Sequence, residues 1–263
     1  MTPVAPPPTT AIETQAEVHA RIAHLYALDR VNATIFNRAF NEYWNALVLS
    51  MFPESRSIRV LDLMGGTGIL TDAILRAGYH DVTVLDLSRD MLGFARECLG
   101  SGPRLCAGDA MRLPLADASF DLVVCRGGLH HLPDMAAGIR EVFRVVKPGG
   151  TFLAFDPCDD VPPVRWLRRL MYRAFAFFDA EHERGLASRE IAAALAHARF
   201  SVEEMRKFGF IGYVVSGMEA HLFPSIFRHL PRADRFGRWL CQIDRRLEGS
   251  RFLLAVAFRA VKQ

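Results

Sequence analysis

The sequence predicts an α/β fold in which a mostly parallel sheet carries helices on both faces. Three observations predict it. Short apolar runs with strand character alternate with segments of helical apolar spacing from Arg59 to Asp156. The first run, Arg59 to Leu63, opens onto Gly65, Gly66 and Gly68, and then onto Ile69, Leu70, Ala73, Ile74 and Leu75 at helical spacing. Two more runs, Phe200 to Phe208 and Phe252 to Val261, stand beyond the alternating part and bring the strands to seven. Alternation implies parallel strands, because a parallel crossover needs a helix between its strands.

Taken in order, the elements point to a nucleotide-like cofactor. A strand that turns on glycines into a helix lets backbone approach a ligand closely. Gly66-Thr67-Gly68 begins a G-x-G-x-x-G pattern, but Thr71 stands where the last glycine belongs. A phosphate loop needs Gly-Lys-Ser/Thr after the turn, and no lysine follows here, which argues against ATP and GTP. The second strand, Val82 to Leu87, carries Asp86 near its end, about 20 residues after the glycines. A carboxylate there can accept from both hydroxyls of a ribose, although an aspartate can also just cap the next helix. Ser88 caps that helix, with Asp90 in its first turn and Met91, Leu92, Ala95 and Leu99 inside. Leu105 to Ala107 is a short third strand running into Gly108-Asp109-Ala110. Ser119 to Cys125 is a fourth, opening onto Arg126-Gly127-Gly128-Leu129-His130-His131-Leu132-Pro133-Asp134. Val146-Lys147-Pro148-Gly149-Gly150 reads as a glycine stop to the next helix, with Thr151 to Asp156 as the fifth strand.

These five ordered motifs, spread over Ser57 to Asp156, resemble the class I S-adenosylmethionine (SAM) dependent methyltransferases. The resemblance implies a Rossmann-like, seven-stranded, mostly parallel sheet whose final strand is antiparallel. It implies SAM as cofactor, held by Asp62, Gly65, Gly66, Gly68, Asp86, Leu87, Asp109, Ala110 and Arg126. Within that set, Gly66 and Gly68 would line the methionine part, Asp86 the ribose, and Asp109 the adenine amino group. One position departs from the pattern. Met64 stands where the family usually has glycine, and lipid-quinone methyltransferases carry alanine there before the same GGTG. Gly65 is then the residue expected to supply the missing flexibility.

Composition narrows the class further. The chain has 263 residues, 51% of them hydrophobic and 23% charged, enough for one large domain with an added lid. Residues 1–10 read as a disordered tail without a signal-peptide pattern. Residues 11–56 read as an N-terminal helical segment, and 57–263 as the cofactor domain with helical insertions near 157–198 and 211–250. Its apolar runs are too short to span a bilayer. Cys98, Cys106, Cys125, Cys158 and Cys241 are scattered, with no C-x-x-C, as in a reduced cytoplasmic protein. A formal net charge of +3 is too mild to indicate nucleic acid as a partner.

The extra segments carry large apolar residues. Val18, Ile22 and Leu25, then Phe36, Phe40, Tyr43, Trp44 and Leu47, form helical stripes. Val164, Leu167, Met171, Ala174 and Phe178 run beside Arg165, Arg169 and Arg173. Phe236, Trp239, Leu240, Ile243 and Leu247 run beside Arg232, Arg235, Arg238, Arg245 and Arg246. Each stripe alone is most simply core beside a solvated face. Together they suggest a lid over a small or medium hydrophobic acceptor, whose basic rim could also touch an anionic membrane. The acceptor class is a lipid, isoprenoid, quinone-like or polyketide intermediate, methylated on oxygen or carbon. Residues Tyr26 to Trp44 loosely resemble the start of the lipid-quinone methyltransferases, whose loop after the fourth strand nonetheless differs.

Methyl transfer from a sulfonium is an in-line displacement, so positioning supplies much of the rate, and a base must take the acceptor's proton. His131 is the first candidate and His130 the second, both in the loop after the fourth strand. His182 in the first insertion is a further option. No metal is expected: Arg126 occupies the place where metal-dependent catechol methyltransferases have a carboxylate. The aspartates Asp156, Asp159 and Asp160 are more simply an acidic loop than a magnesium site. Two rivals remain open. One is a SAM-binding enzyme that catalyses a rearrangement or cyclisation; the other is a non-catalytic SAM-binding partner protein.

Overall fold

The computed structural model describes residues 35–163, 165–166, 185–209, 211, 233–248 and 253–263. The expected tail and the stripe Val18, Ile22 and Leu25 lie outside these residues, as do the side chains of Phe36, Val164, Leu167, Met171, Ala174 and Phe178. So do Arg169, Arg173, His182 and Arg232. The elements are α1 (Ile35–Leu49), β1 (Val60–Leu63), α2 (Ile69–Arg76), β2 (Val82–Asp86), α3 (Arg89–Leu99), β3 (Arg104–Ala107) and β4 (Phe120–Arg126). After a 3₁₀ turn at Leu129–His131 come α4 (Met135–Val145), β5 (Val146–Pro157), α5 (Ser188–His197), β6 (Phe200–Phe208), α6 (Ala233–Arg246) and β7 (Ala255–Lys262).

The strands form one sheet in the order β3-β2-β1-β4-β5-β7-β6. β1 is flanked in parallel by β2 and β4, with Asp62 level with Val84 and Val124. β3 and β5 extend this parallel part outward. β7 runs antiparallel between β5 and β6, as the resemblance implied. The chain order reverses between β1 and β4, where open α/β sheets bind ligands outside the carboxyl ends of their strands.

Alternation along β1 sends successive side chains to opposite faces. Leu61 and Leu63 join Ile139 and Val142 of α4 and Ile191 and Leu195 of α5 in one apolar layer. Val60 joins Phe40, Trp44 and Leu47 of α1, Ile74 of α2 and Leu240 of α6 in the other. Burial of each such side chain contributes about 1.5–3 kcal/mol. By the same alternation Asp62 falls on the α1 and α2 face.

The Val146 to Gly150 turn departs from expectation. α4 ends at Val145 and the chain continues at once into β5, Val146 being already extended. Phe120 pairs with Val146 and Leu122 with Thr151, so the residues between form a bulge rather than a helix stop. Ser88 does cap its helix, accepting from the Met91 amide at 3.2 Å.

Candidate cofactor site and acceptor loop

The glycine loop binds its neighbours through backbone and buried acid. Asp62 is fully buried, and one of its oxygens accepts from Thr71 Oγ1 at 2.5 Å. The residue that breaks the dinucleotide pattern therefore orients the first acid. Burial pushes the Asp62 carboxyl up to about 7, against Thr71 and Arg126, which lower it. Asp62 Oδ1 is buried with no hydrogen-bond partner. A buried, orphaned acceptor fits a cationic donor, and the methionine ammonium of SAM is one.

Met64 itself takes the left-handed conformation, with φ 57°. This corrects the expectation that Gly65 supplies the flexibility. Gly65 is needed for space: a Cβ there would lie 2.6 Å from Val84 Cγ1 and 3.0 Å from Asp62 Cγ. Gly68, at φ 76°, starts α2 without a side-chain cap, leaving first-turn amides toward the loop.

Asp86 ends β2 and accepts from the Gly66 amide at 2.8 Å and the Ser88 amide at 2.9 Å. It thereby braces the glycine loop and the turn into α3. A carboxylate accepts about four bonds, so these two do not exhaust it. Leu87 follows with an exposed side chain, an apolar surface beside the acid. Asp109 follows β3 and accepts from the Met111 amide at 2.8 Å through Oδ1, closing a local turn. Ala110 is buried in the core beside it.

Arg126 ends β4. Its guanidinium donates to Asn45 Oδ1 at 2.8 Å and to Asn41 Oδ1, both on α1. It lies 5.7 Å from the centre of the Phe155 ring. Desolvation lowers it to about 10, still charged near neutrality, with Asp62 holding it up. Asn45 also donates to the Ile69 carbonyl at the start of α2. The N-terminal helix, the glycine loop and the β4 end thus meet through one cation. Asn41 and Asn45 were not singled out by sequence, and Thr71 only as a break in the glycine pattern; the i, i+4 spacing of the two asparagines on α1 was the available signal.

The loop after β4 brings both histidines together, with ring centres 3.9 Å apart. They are not equivalent. His130 Nδ1 lies 2.8 Å from Asp156 Oδ1, and its backbone amide donates to the same oxygen at 3.1 Å. Asp156 is buried near the end of β5, and burial pushes its carboxyl up while His130 pulls it back. His131 is half-buried against the His130 ring. Asp160, by contrast, binds Ser188 and Lys207 and is lowered to about 2. Asp156 and Asp160 thereby serve different partners. Among the described residues, no cluster of His, Cys, Asp and Glu suits a metal.

The carboxyl ends of the parallel strands therefore bring together a close-packed glycine turn, Asp86, Asp109 and a histidine–aspartate pair. This is the layout of a methyl-transfer site built on a nucleoside cofactor. A family model for a methyltransferase domain matches residues 61–154. Over 218 residues the chain is 33% identical to the ubiquinone/menaquinone biosynthesis C-methyltransferase UbiE of Methylobacterium nodulans, covering 78% of this chain and 82% of that one. It is 34% identical over 140 residues to a demethylmenaquinone methyltransferase of Staphylococcus aureus, covering 52% of this chain and 58% of that one. A SAM-dependent methyltransferase of Thermotoga maritima shares the fold at a TM-score of 0.67 and 17% identity, covering 94% of this chain and 99% of that one. The chain belongs to the class I SAM-dependent methyltransferases, and SAM is its cofactor.

Proposed function

We propose that this enzyme moves the methyl group of SAM to a carbon or oxygen of a hydrophobic, quinone-like acceptor, with His130 as the base. The observation that carries the base is the His130–Asp156 pair. With Asp156 ionised, Nδ1 donates to it and the lone pair sits on Nε2, the arrangement a general base needs. His131, the first candidate by sequence, then packs the His130 ring. The acceptor class rests on the similarity to quinone methyltransferases.

The cofactor supplies an electrophilic methyl on a good leaving group. Bound SAM would give that methyl to an electron pair of the acceptor, with the carbon–sulfur bonding electrons left on sulfur. The acceptor proton passes to His130 Nε2. A phenolic hydroxyl that loses its proton raises electron density on its own oxygen and on the adjacent ring carbons; in C-methylation the methylated ring carbon then gives up its own proton and the oxygen is reprotonated, so one base serves both routes. Asp62, Gly65, Gly66 and Gly68 would hold the methionine end, Asp86 and Leu87 the ribose and adjoining face, and Asp109 the adenine. Arg126 fixes α1 against the loop.

Incubation with methyl-labelled SAM and a short-tailed demethylated hydroquinone tests the reading. Label should enter the hydroquinone with stoichiometric S-adenosylhomocysteine. His130→Ala should lower kcat by about 10²–10⁴, and Asp156→Asn should lower it as well, both with SAM affinity preserved. Full activity in His130→Ala would move the base elsewhere. Labelling of polar acceptors but not of the hydroquinone would overturn the acceptor class.

A further inference from the structure

α6 has three faces rather than two. Leu240, Cys241 and Asp244 are buried against the body of the protein. Its inner side is fastened to α1: Tyr43 donates to Glu248 at 2.7 Å, Cys241 Sγ reaches the Ala39 carbonyl at 3.7 Å, and Arg245 lies 5.5 Å from the Tyr43 ring. Phe236, Trp239, Ile243 and Leu247 follow one another at helical spacing on a second face. Phe236, Trp239 and Leu247 are 42%, 54% and 37% exposed, and the two aromatic rings stack at 5.8 Å. Ile243 is half-buried between them and the core. The third face carries Arg235, Arg238, Arg245 and Arg246, all exposed. At about 100° per residue, Arg235 and Arg246 border the aromatic stripe directly. Among the described side chains of α6, the one carboxylate, Asp244, is buried.

We propose that this outer face of α6 is a docking surface for an anionic lipid bilayer, with Phe236, Trp239 and Leu247 entering the interface and Arg235 and Arg246 meeting the headgroups. The charge decides the occupant. An apolar stripe alone would suit a protein or a second copy, but a stripe edged by arginines has the composition of a helix lying in a headgroup layer. Aromatic side chains favour that depth, and arginine stems can cross it to reach phosphate. The helix is held in place on its inner side, so the surface exists before it meets lipid. Among the described residues no helix is long and apolar enough to cross a membrane. The surface is independent of the acceptor assigned above, though a membrane-dissolved acceptor would be reached from it.

The test is sedimentation of the full chain with vesicles of phosphatidylcholine alone or mixed equally with phosphatidylglycerol. Binding should appear with the anionic vesicles at low salt, weaken as salt rises, and be absent with phosphatidylcholine alone. R235Q together with R246Q should weaken it by roughly 25-fold, about five-fold for each charge removed. F236S together with W239S should abolish it. All four sites are exposed, and unchanged SAM binding shows that the variants fold. No binding at low salt overturns the proposal, as does equal binding to both vesicle types. Concentration-dependent dimerisation abolished by F236S and W239S assigns the stripe to a second copy and overturns it as well. None of these readouts is methyl transfer, so the proposed reaction stands or falls separately.

Discussion

At the scale of single residues, what the sequence made legible is what acts locally. Asp86 is readable because it ends a strand at a fixed distance from a glycine turn, and its bond to the Gly66 amide shows why that distance matters. Ser88 as a cap is readable for the same reason. Asp156 was not, because its partner His130 lies 26 positions away and no local pattern marks a buried acid awaiting a histidine. Met64 shows the reverse failure. The missing glycine was visible, but the backbone kept the left-handed turn and accepted a side chain there, at a cost of about 1–2 kcal/mol. Asp86→Ala should weaken SAM by about 10- to 100-fold, since hydrogen bonds to a charged group contribute about 1.5–3 kcal/mol. Titration calorimetry on the folded variant reads this. Unchanged affinity would leave Asp86 as a brace for the glycine loop alone.

Among the elements, the strands came through sequence well because buried parallel strands are short, apolar and separated by helices. The bulge at the start of β5 did not, because Pro148, Gly149 and Gly150 look the same in a helix stop and in a bulge; pairing of Phe120 with Val146 decides between them. α1 was visible as an apolar stripe, and its buried Phe40, Tyr43, Trp44 and Leu47 bear that out. Its polar side was not. Asn41 and Asn45 hold the Arg126 guanidinium, so α1 closes one side of the loop region through a cation as well as through core packing. Asn45→Ala removes an acceptor from a desolvated charge and frees no compensating apolar surface. It should destabilise the protein by about 1–3 kcal/mol, lowering Tm by roughly 2–12 °C for a chain of this size. Calorimetric melting measures it. An unchanged Tm would mean that water replaces Asn45 without loss and that α1 is held by its apolar face alone.

For the whole molecule, opposing carboxylates set how stability responds to pH. Asp160, with Lys207 and Ser188, is lowered to about 2. Between about pH 4 and 2 the unfolded chain therefore takes up a proton that the folded chain refuses, and stability falls on acidification. Asp81, Asp121 and Glu141 are also lowered, by Arg104, Lys147 and Arg144 respectively, and act in the same direction. Asp62 acts oppositely. It is raised to about 7, so from about pH 4 to 7 the folded protein holds a proton that the unfolded chain has released. Stability from this group is full at low pH and is lost as pH rises, by at most about 1.4 kcal/mol per unit. Asp156, raised by burial, adds to that loss. The cofactor-free enzyme should accordingly resist urea better at pH 5.5 than at pH 8. Asp62→Asn keeps an acceptor for Thr71 and removes the titration, so the difference should shrink. SAM reverses the balance, because an ammonium beside Asp62 favours the ionised form. Saturating SAM should then stabilise the wild-type protein more at pH 8 than at pH 5.5, and Asp62→Asn should lose that preference. Equal SAM stabilisation at both pH values in wild type and variant would separate Asp62 from the cofactor and leave it as a buried brace for Thr71.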